Sequence, residues 1–472
     1  MKRHSILITA IISITIMLIT SAALPDVKDD LGKIMDEGER LDIFSGIIMA
    51  NFDGSTVFEE SVGLSDKNIK TPNVTDTKYN IASLGKLFTS VMILQFANEK
   101  IIDLDGKVSD LIKGVNDKIT IRMLLQHKSG YGDYLDDPEF IEHTGNYRET
   151  SELTELVLKS PLLFEPGERF SYSNSGYVLL GNIIETVTGK KYSENLKERI
   201  FIPLDMKNSE YTISNIHDPN KATGYIKQLN GSFIDNGGFS HTPSPAGGMY
   251  STAGDLCKFG NSLLLDNEVL TDNNKILMFT DFEKTNNLTP ASIKELFSTP
   301  DGGNAYAGGA PGISSLLMFF PAQKYVVVVL SNYDQAAENI AKNISGVILR
   351  GELDLPKVSA SAFIYSQINE NGLSYIKDNF EKLLSENNYK IRNDMILNML
   401  GYEFLNNEMY DESIFIFTKN TEMFPDLPNC YDSLGEAYLK KGDKENASVN
   451  YNKVLQLDPG NENAKWMLEK IN

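Results

Sequence analysis

A serine hydroxyl is a poor nucleophile until a neighbouring base can take its proton. Two stretches of this chain set a serine and a lysine three residues apart, Ser83-Leu84-Gly85-Lys86 and Ser374–Lys377. The first opens an apolar run with Leu87, Phe88, Val91, Met92 and Leu94, the pattern of a helix start. Residues three apart on a helix share a face, so the Ser83 hydroxyl and the Lys86 amine can meet. A lysine serves as base when burial and the positive field of a helix N-terminus lower its pKa. The second pair lies in a polar helical stretch and reads as an ordinary surface pair. What separates the two is Tyr172-Ser173-Asn174, the one Tyr-x-Asn in a chain with 21 tyrosines. It follows Pro166-Gly167-Glu168-Arg169-Phe170 and precedes Ser175-Gly176-Tyr177, so it sits on a loop before a helix. A phenol there can relay a proton to a leaving group, and an amide can hold a substrate carbonyl. His127 suggests a Ser-His-Asp triad, but the Gly-x-Ser-x-Gly elbow is missing from the sequence, so His127 reads as structural. No His-Glu-x-x-His or comparable ligand cluster occurs, and neither a metal nor a cofactor is implied.

These motifs resemble those of the serine β-lactamase and penicillin-binding protein family, most closely its class C-like and esterase branch. The resemblance covers roughly residues 40 to 350. It includes Ile119-Thr-Ile-Arg-Met-Leu-Leu-Gln-His-Lys-Ser-Gly130, Ile202-Pro-Leu-Asp-Met206 and Pro245-Ala-Gly-Gly-Met-Tyr-Ser-Thr252. It implies that Ser83 is acylated, with Lys86 as base and Tyr172 assisting proton transfer, and that Asn174 binds the substrate amide or ester. The family's third motif, Lys-Thr-Gly or His-x-Gly on a strand, falls where this chain reads Tyr306-Ala307-Gly308-Gly309. The expected cation is absent and Tyr306 stands in its place. By the same resemblance Tyr306, Gly308 and Gly309 border the substrate, and the Gly309 and Ser83 N–H groups form an oxyanion hole. A neutral phenol there predicts poor hydrolysis of carboxylate-bearing β-lactams and better turnover of uncharged esters or amides.

Elements must hold these residues in place. Phe44 to Met49 and Thr56 to Val62 flank Asn51-Phe52-Asp53-Gly54 and read as a hairpin. Ser314 to Phe320 and Tyr325 to Leu330 flank Pro321-Ala322-Gln323-Lys324 and read as a second. Strands at both ends with helices between predict an α+β fold: one antiparallel sheet closed by the two ends of residues 27–350, flanked by helices. Beyond Leu355 the periodicity turns helical. Leu400-Gly401 recurs as Leu434-Gly435, Phe404 as Tyr438, Ser413 as Ala447, Phe417 as Tyr451 and Pro425 as Pro459. Every offset is 34 residues, the tetratricopeptide period, so residues 396–472 are expected to form an all-α repeat region. About three repeats are needed to bury a solenoid core. Residues 356–395 are therefore expected to act as a helical linker, cap or degenerate unit.

The composition, 41% hydrophobic and 23% charged, is that of a globular protein, and 472 residues are too many for one core. A net charge of −20 argues against a nucleic-acid partner. Cys257 and Cys430 lie far apart and read as two buried free thiols. Lys2-Arg3-His4, an apolar stretch from Ile6 to Ile19 and Ser21-Ala22-Ala23 follow the order of a signal peptide. The apolar stretch is shorter than the roughly 20 residues a membrane span needs. Residues 1–23 are thus expected to be removed near Ala23, leaving an exported mature chain without a transmembrane helix. The function expected is acyl transfer from an ester, an amide or a D-amino-acid-containing peptide, with a protein partner for the repeats. The alternatives are a non-catalytic binding or sensor module and a scaffold acting through its repeats.

Overall fold

A computed structural model of the protein describes residues 27–212, 218–236, 242–279 and 304–471. The segment expected to be a signal peptide lies outside them. The main sheet has five strands: β1 (Gly46–Phe52), β2 (Ser55–Val62), β3 (Asn304–Ala310), β4 (Ile313–Phe320) and β5 (Tyr325–Ser331). Their order is β2-β1-β5-β4-β3, antiparallel throughout. The pairing of Gly46 with Ser331 and of Phe52 with Tyr325 joins the two ends of the domain at the sheet centre.

Strand side chains alternate between faces, and here both faces are apolar. Ile47, Met49, Leu317, Phe319, Val326, Val328 and Leu330 join the large core, against which helix Ala253–Leu264 packs. The intervening Ile48, Ala50, Leu316, Met318, Val327 and Val329 are buried as well. Helix Ala336–Arg350 packs on β4 and β5, with Ile340, Ile344 and Val347 buried. A sheet covered on both sides needs continuous apolar strands, which is why Val326-Val-Val-Val-Leu330 carries no polar break. The fold is α+β, as the strand and helix patterns predict.

Between β2 and β3 lie the elements that build the site. A tight 3-10 turn, Ala82–Gly85, runs into helix Lys86–Asn98, nine of whose thirteen residues are buried. Helix Asn174–Thr188 starts at Ser173, whose hydroxyl accepts from the Gly176 N–H as an N-cap, and ends at Gly189 in the left-handed region.

The described residues divide into two compact units, one reaching to Ile226 and resuming over Ile234–Pro356, the other formed by Lys227–Phe233 and Lys357 onward. The second is helical: Ala360–Asn371, Leu373–Glu386, Asp394–Asn406, Tyr410–Met423, Pro428–Lys441, Lys444–Leu457 and Glu462–Ile471. Its 34-residue period has a packing cause. A Cβ on Gly401 would stand 2.4 Å from the Phe417 ring, and one on Gly435 3.2 Å from the Tyr451 ring. Each small residue thus lets an aromatic from the next helix close the pair. The first two helices share a core with the first repeat through Ile364, Ile376, Phe380, Leu397 and Leu400. Cys257 and Cys430 are both buried and free.

Candidate active site

Ser83 sits in the 3-10 turn rather than in the helix proper. Ala82, just before it, has φ 42°, a conformation that costs a residue with a Cβ energy. Three contacts hold the backbone there: Ala82 N–H donates to Asn80 Oδ1 at 2.8 Å, Ile81 N–H to the Met249 carbonyl at 2.9 Å, and Gly248 N–H to the Ala82 carbonyl at 3.2 Å. Strain retained by surrounding bonds at a candidate nucleophile fixes the direction in which the hydroxyl leaves the turn.

Lys86 Nζ lies 3.0 Å from Ser83 Oγ, 2.6 Å from Asn174 Oδ1 and 2.7 Å from the Ala246 carbonyl. A neutral amine has two hydrogens and one lone pair. With the hydrogens on the two carbonyl oxygens, the lone pair faces the serine hydroxyl. Burial pushes the Lys86 pKa down to about 7, opposed by the Asp133 carboxylate, so the neutral form is accessible near neutrality. The Tyr172 hydroxyl lies 2.9 Å from Ser83 Oγ on its other side, and its ring stands 4.9 Å from Lys86 Nζ. Burial raises the Tyr172 pKa, so the phenol stays protonated and able to donate.

Asn174 is buried, and both ends of its amide are engaged: Oδ1 accepts from Lys86, and Nδ2 donates to Asp133 Oδ2 at 2.6 Å. It therefore meets Lys86 directly, where the family resemblance has it meeting substrate. Asp133 also caps the turn Tyr134–Asp136 by accepting from the Leu135 N–H. Sequence reading did not single out Asp133, although a Gly-Asp pair before an apolar turn is an N-cap signal. His127 stacks on the Tyr172 ring, with centroids 4.6 Å apart, and its Nδ1 accepts from the Ser173 N–H. Burial, with the Lys86 charge, pushes its pKa down to about 4, so His127 is a neutral brace behind the phenol. Tyr306 is packed edge-on to Phe319, and its hydroxyl donates to the Met278 carbonyl at 3.3 Å.

Gly308 is buried and faces the Ser83 turn instead of open space. A Cβ on it would fall 2.1 Å from the Ile81 carbonyl oxygen and 2.7 Å from the Leu84 nitrogen. The Ser315 hydroxyl donates to that same Ile81 carbonyl at 2.8 Å, tying the sheet to the turn. Gly309 is exposed beside it and paired with Ser314. A cleft of about 310 Å³ opens at Ser83, Lys86 and Tyr172. A hydroxyl held between a lone-pair-bearing amine and a phenol is equipped for acyl transfer.

The Beta-lactamase family model matches residues 35–347 of the sequence. The chain belongs to the β-lactamase family. A tetratricopeptide repeat model matches residues 428–461. Among curated relatives, protein flp of Staphylococcus aureus (strain MW2) is 28% identical over 290 residues, 59% of this chain. The chain spans only 57% of that protein's length. Penicillin-binding protein 4* of Bacillus subtilis (strain 168) is 26% identical over 339 residues, 64% of this chain and 72% of that protein. Among solved structures, a penicillin binding protein from Bacillus halodurans superposes with a TM-score of 0.56 at 25% identity, covering 66% of this chain and 99% of its own. The D-amino acid amidase from Ochrobactrum anthropi SV3 shares the fold, with a TM-score of 0.55 at 21% identity over 69% of this chain and 97% of that one. The first unit is thus a serine-hydrolase-type β-lactamase fold, followed by helical tetratricopeptide-type repeats.

Proposed function

We propose that the protein is an exported serine hydrolase that works through an acyl-enzyme on Ser83. The observation that carries this reading is the placement of Ser83 Oγ between Lys86 Nζ at 3.0 Å and the Tyr172 hydroxyl at 2.9 Å. Ser83 Oγ attacks the carbonyl carbon of an ester or amide as its proton passes to the Lys86 lone pair. The oxyanion is received by the Ser83 and Gly309 N–H groups, by likeness to the family. Collapse breaks the bond to the leaving group, which takes a proton from Tyr172, itself reprotonated from Lys86. Water then attacks the acyl-enzyme with the same groups working in reverse, releasing the acid and restoring Ser83. Export is proposed from the basic, apolar and small-residue order of residues 1–23. The repeats are proposed to bind a protein partner.

The test is covalent. A fluorophosphonate probe should label the purified protein, and mass spectrometry should place the adduct on the peptide that holds Ser83. Lys86→Arg should cut the labelling rate by at least a hundredfold, because guanidinium keeps its proton. Labelling at Ser129 or Ser173, or a Lys86→Arg protein within a few-fold of the parent, would overturn the assignment. No labelling at all favours the binding-module reading.

A further inference from the structure

The cleft at Ser83 extends well past the reacting atoms. Leu87, Ser90 and Leu94 line it, spaced three and four residues apart and therefore on one face of helix Lys86–Asn98, and Ser83 lines it from the turn just before that helix. Leu87 to Leu94 alone amounts to roughly 10 Å of helix, so the cleft runs down the helix away from the serine as a channel. Leu125, Tyr177 and Met278 close its sides, each nearly fully buried in the core. Among the described residues that line it there is no arginine and no carboxylate, and its one lysine is Lys86. Tyr306, which stands where the family resemblance expects a cation, also lines it and has its hydroxyl on a backbone carbonyl.

We propose that this channel takes an uncharged, extended apolar limb of the substrate, the acyl chain of a medium-length ester or amide. The inference rests on the acyl-enzyme reading above and adds the substrate class. An apolar lining rewards each methylene removed from water, whereas a carboxylate entering it would lose its hydration without gaining a cation. The volume, near the lower bound for small-molecule sites, suits one chain better than a fused ring system.

The experiment is a series of p-nitrophenyl esters from acetyl to decanoyl, run on the full-length protein. The expected result is a rise in kcat/KM of about fourfold per added methylene until the channel fills, so that hexanoyl exceeds acetyl by more than tenfold. A succinyl ester, of butanoyl length with a terminal carboxylate, should be at least tenfold slower than butanoyl. Ser90→Phe should lower the hexanoyl-to-acetyl ratio by narrowing the channel. Ala307→Leu, at an exposed residue of β3 that also lines the cleft, gives the same reading if Ser90→Phe does not fold. A flat series, a decline beyond acetyl, or a succinyl ester as good as butanoyl overturns the inference while leaving the acyl-enzyme reading intact. Absence of turnover with every ester, together with absence of fluorophosphonate labelling, removes both.

Discussion

At the scale of single residues, the site turns on the charge of Lys86. Its pKa of about 7 places the change from ammonium to amine inside the working range. For a neutral ester, kcat/KM should rise as pH passes through about 7 and level off above, since that ratio reports the free enzyme. His127, pushed to about 4, titrates too low to account for such a limb. Asp133 reaches Lys86 through the Asn174 amide, and its negative charge favours the ammonium. Asp133→Asn keeps an acceptor for Asn174 but removes that charge, so the limb should move to lower pH. A limb that stays in place or moves upward would show that Asp133 does not act through Lys86. Ser83, Lys86 and Tyr172 were legible in the sequence because two short spacings encode them. Asp133 was not, because its link to the site crosses 41 residues and exists only after helix Asn174–Thr188 has docked.

At the scale of elements, the site is a seam between a strand and a turn. β3 approaches the Ser83 turn so closely that Gly308 has no room for a side chain. Gly308→Ala must push β3 and the turn apart, since the nearest atom in the way, the Ile81 carbonyl oxygen, and the Leu84 nitrogen behind it are backbone. A displacement of the order of 1 Å at a reacting group costs on the order of a hundredfold. Steady-state kinetics on a variant with an unchanged circular dichroism spectrum should show that loss, and activity within threefold of the parent would mean that the seam yields freely. The two hairpins could be read from their apolar, β-branched runs and the turn residues between them. β3 could be placed only by resemblance, because Tyr306-Ala307-Gly308-Gly309 has neither alternation nor β-branched residues. The repeat period was fully legible, since each aromatic and its small partner recur within a single chain segment.

At the scale of the whole molecule, Ser83, Lys86, Asp133, Tyr172, Asn174 and Tyr306 all belong to the unit that ends at Pro356. A chain cut after Pro356 should retain turnover of a short ester within a few-fold, measured on protein whose near-ultraviolet circular dichroism shows it folded. Lost activity in such a folded truncation would mean that the repeats complete the site. The sheet order carries a different consequence, one of time. β1 finds both of its neighbours only when β5 has arrived, and Ser331 lies 285 positions after its partner Gly46. At roughly 5–20 residues per second, a ribosome needs on the order of 15 to 60 s to span that gap. Throughout that interval the apolar strand Gly46–Phe52 is without its central partner, and contacts so distant in sequence form slowly even once the chain is whole. The nascent protein therefore depends on whatever shields β1 during synthesis, whereas the C-terminal helices, with their neighbours next to them in sequence, can pair as fast as they emerge.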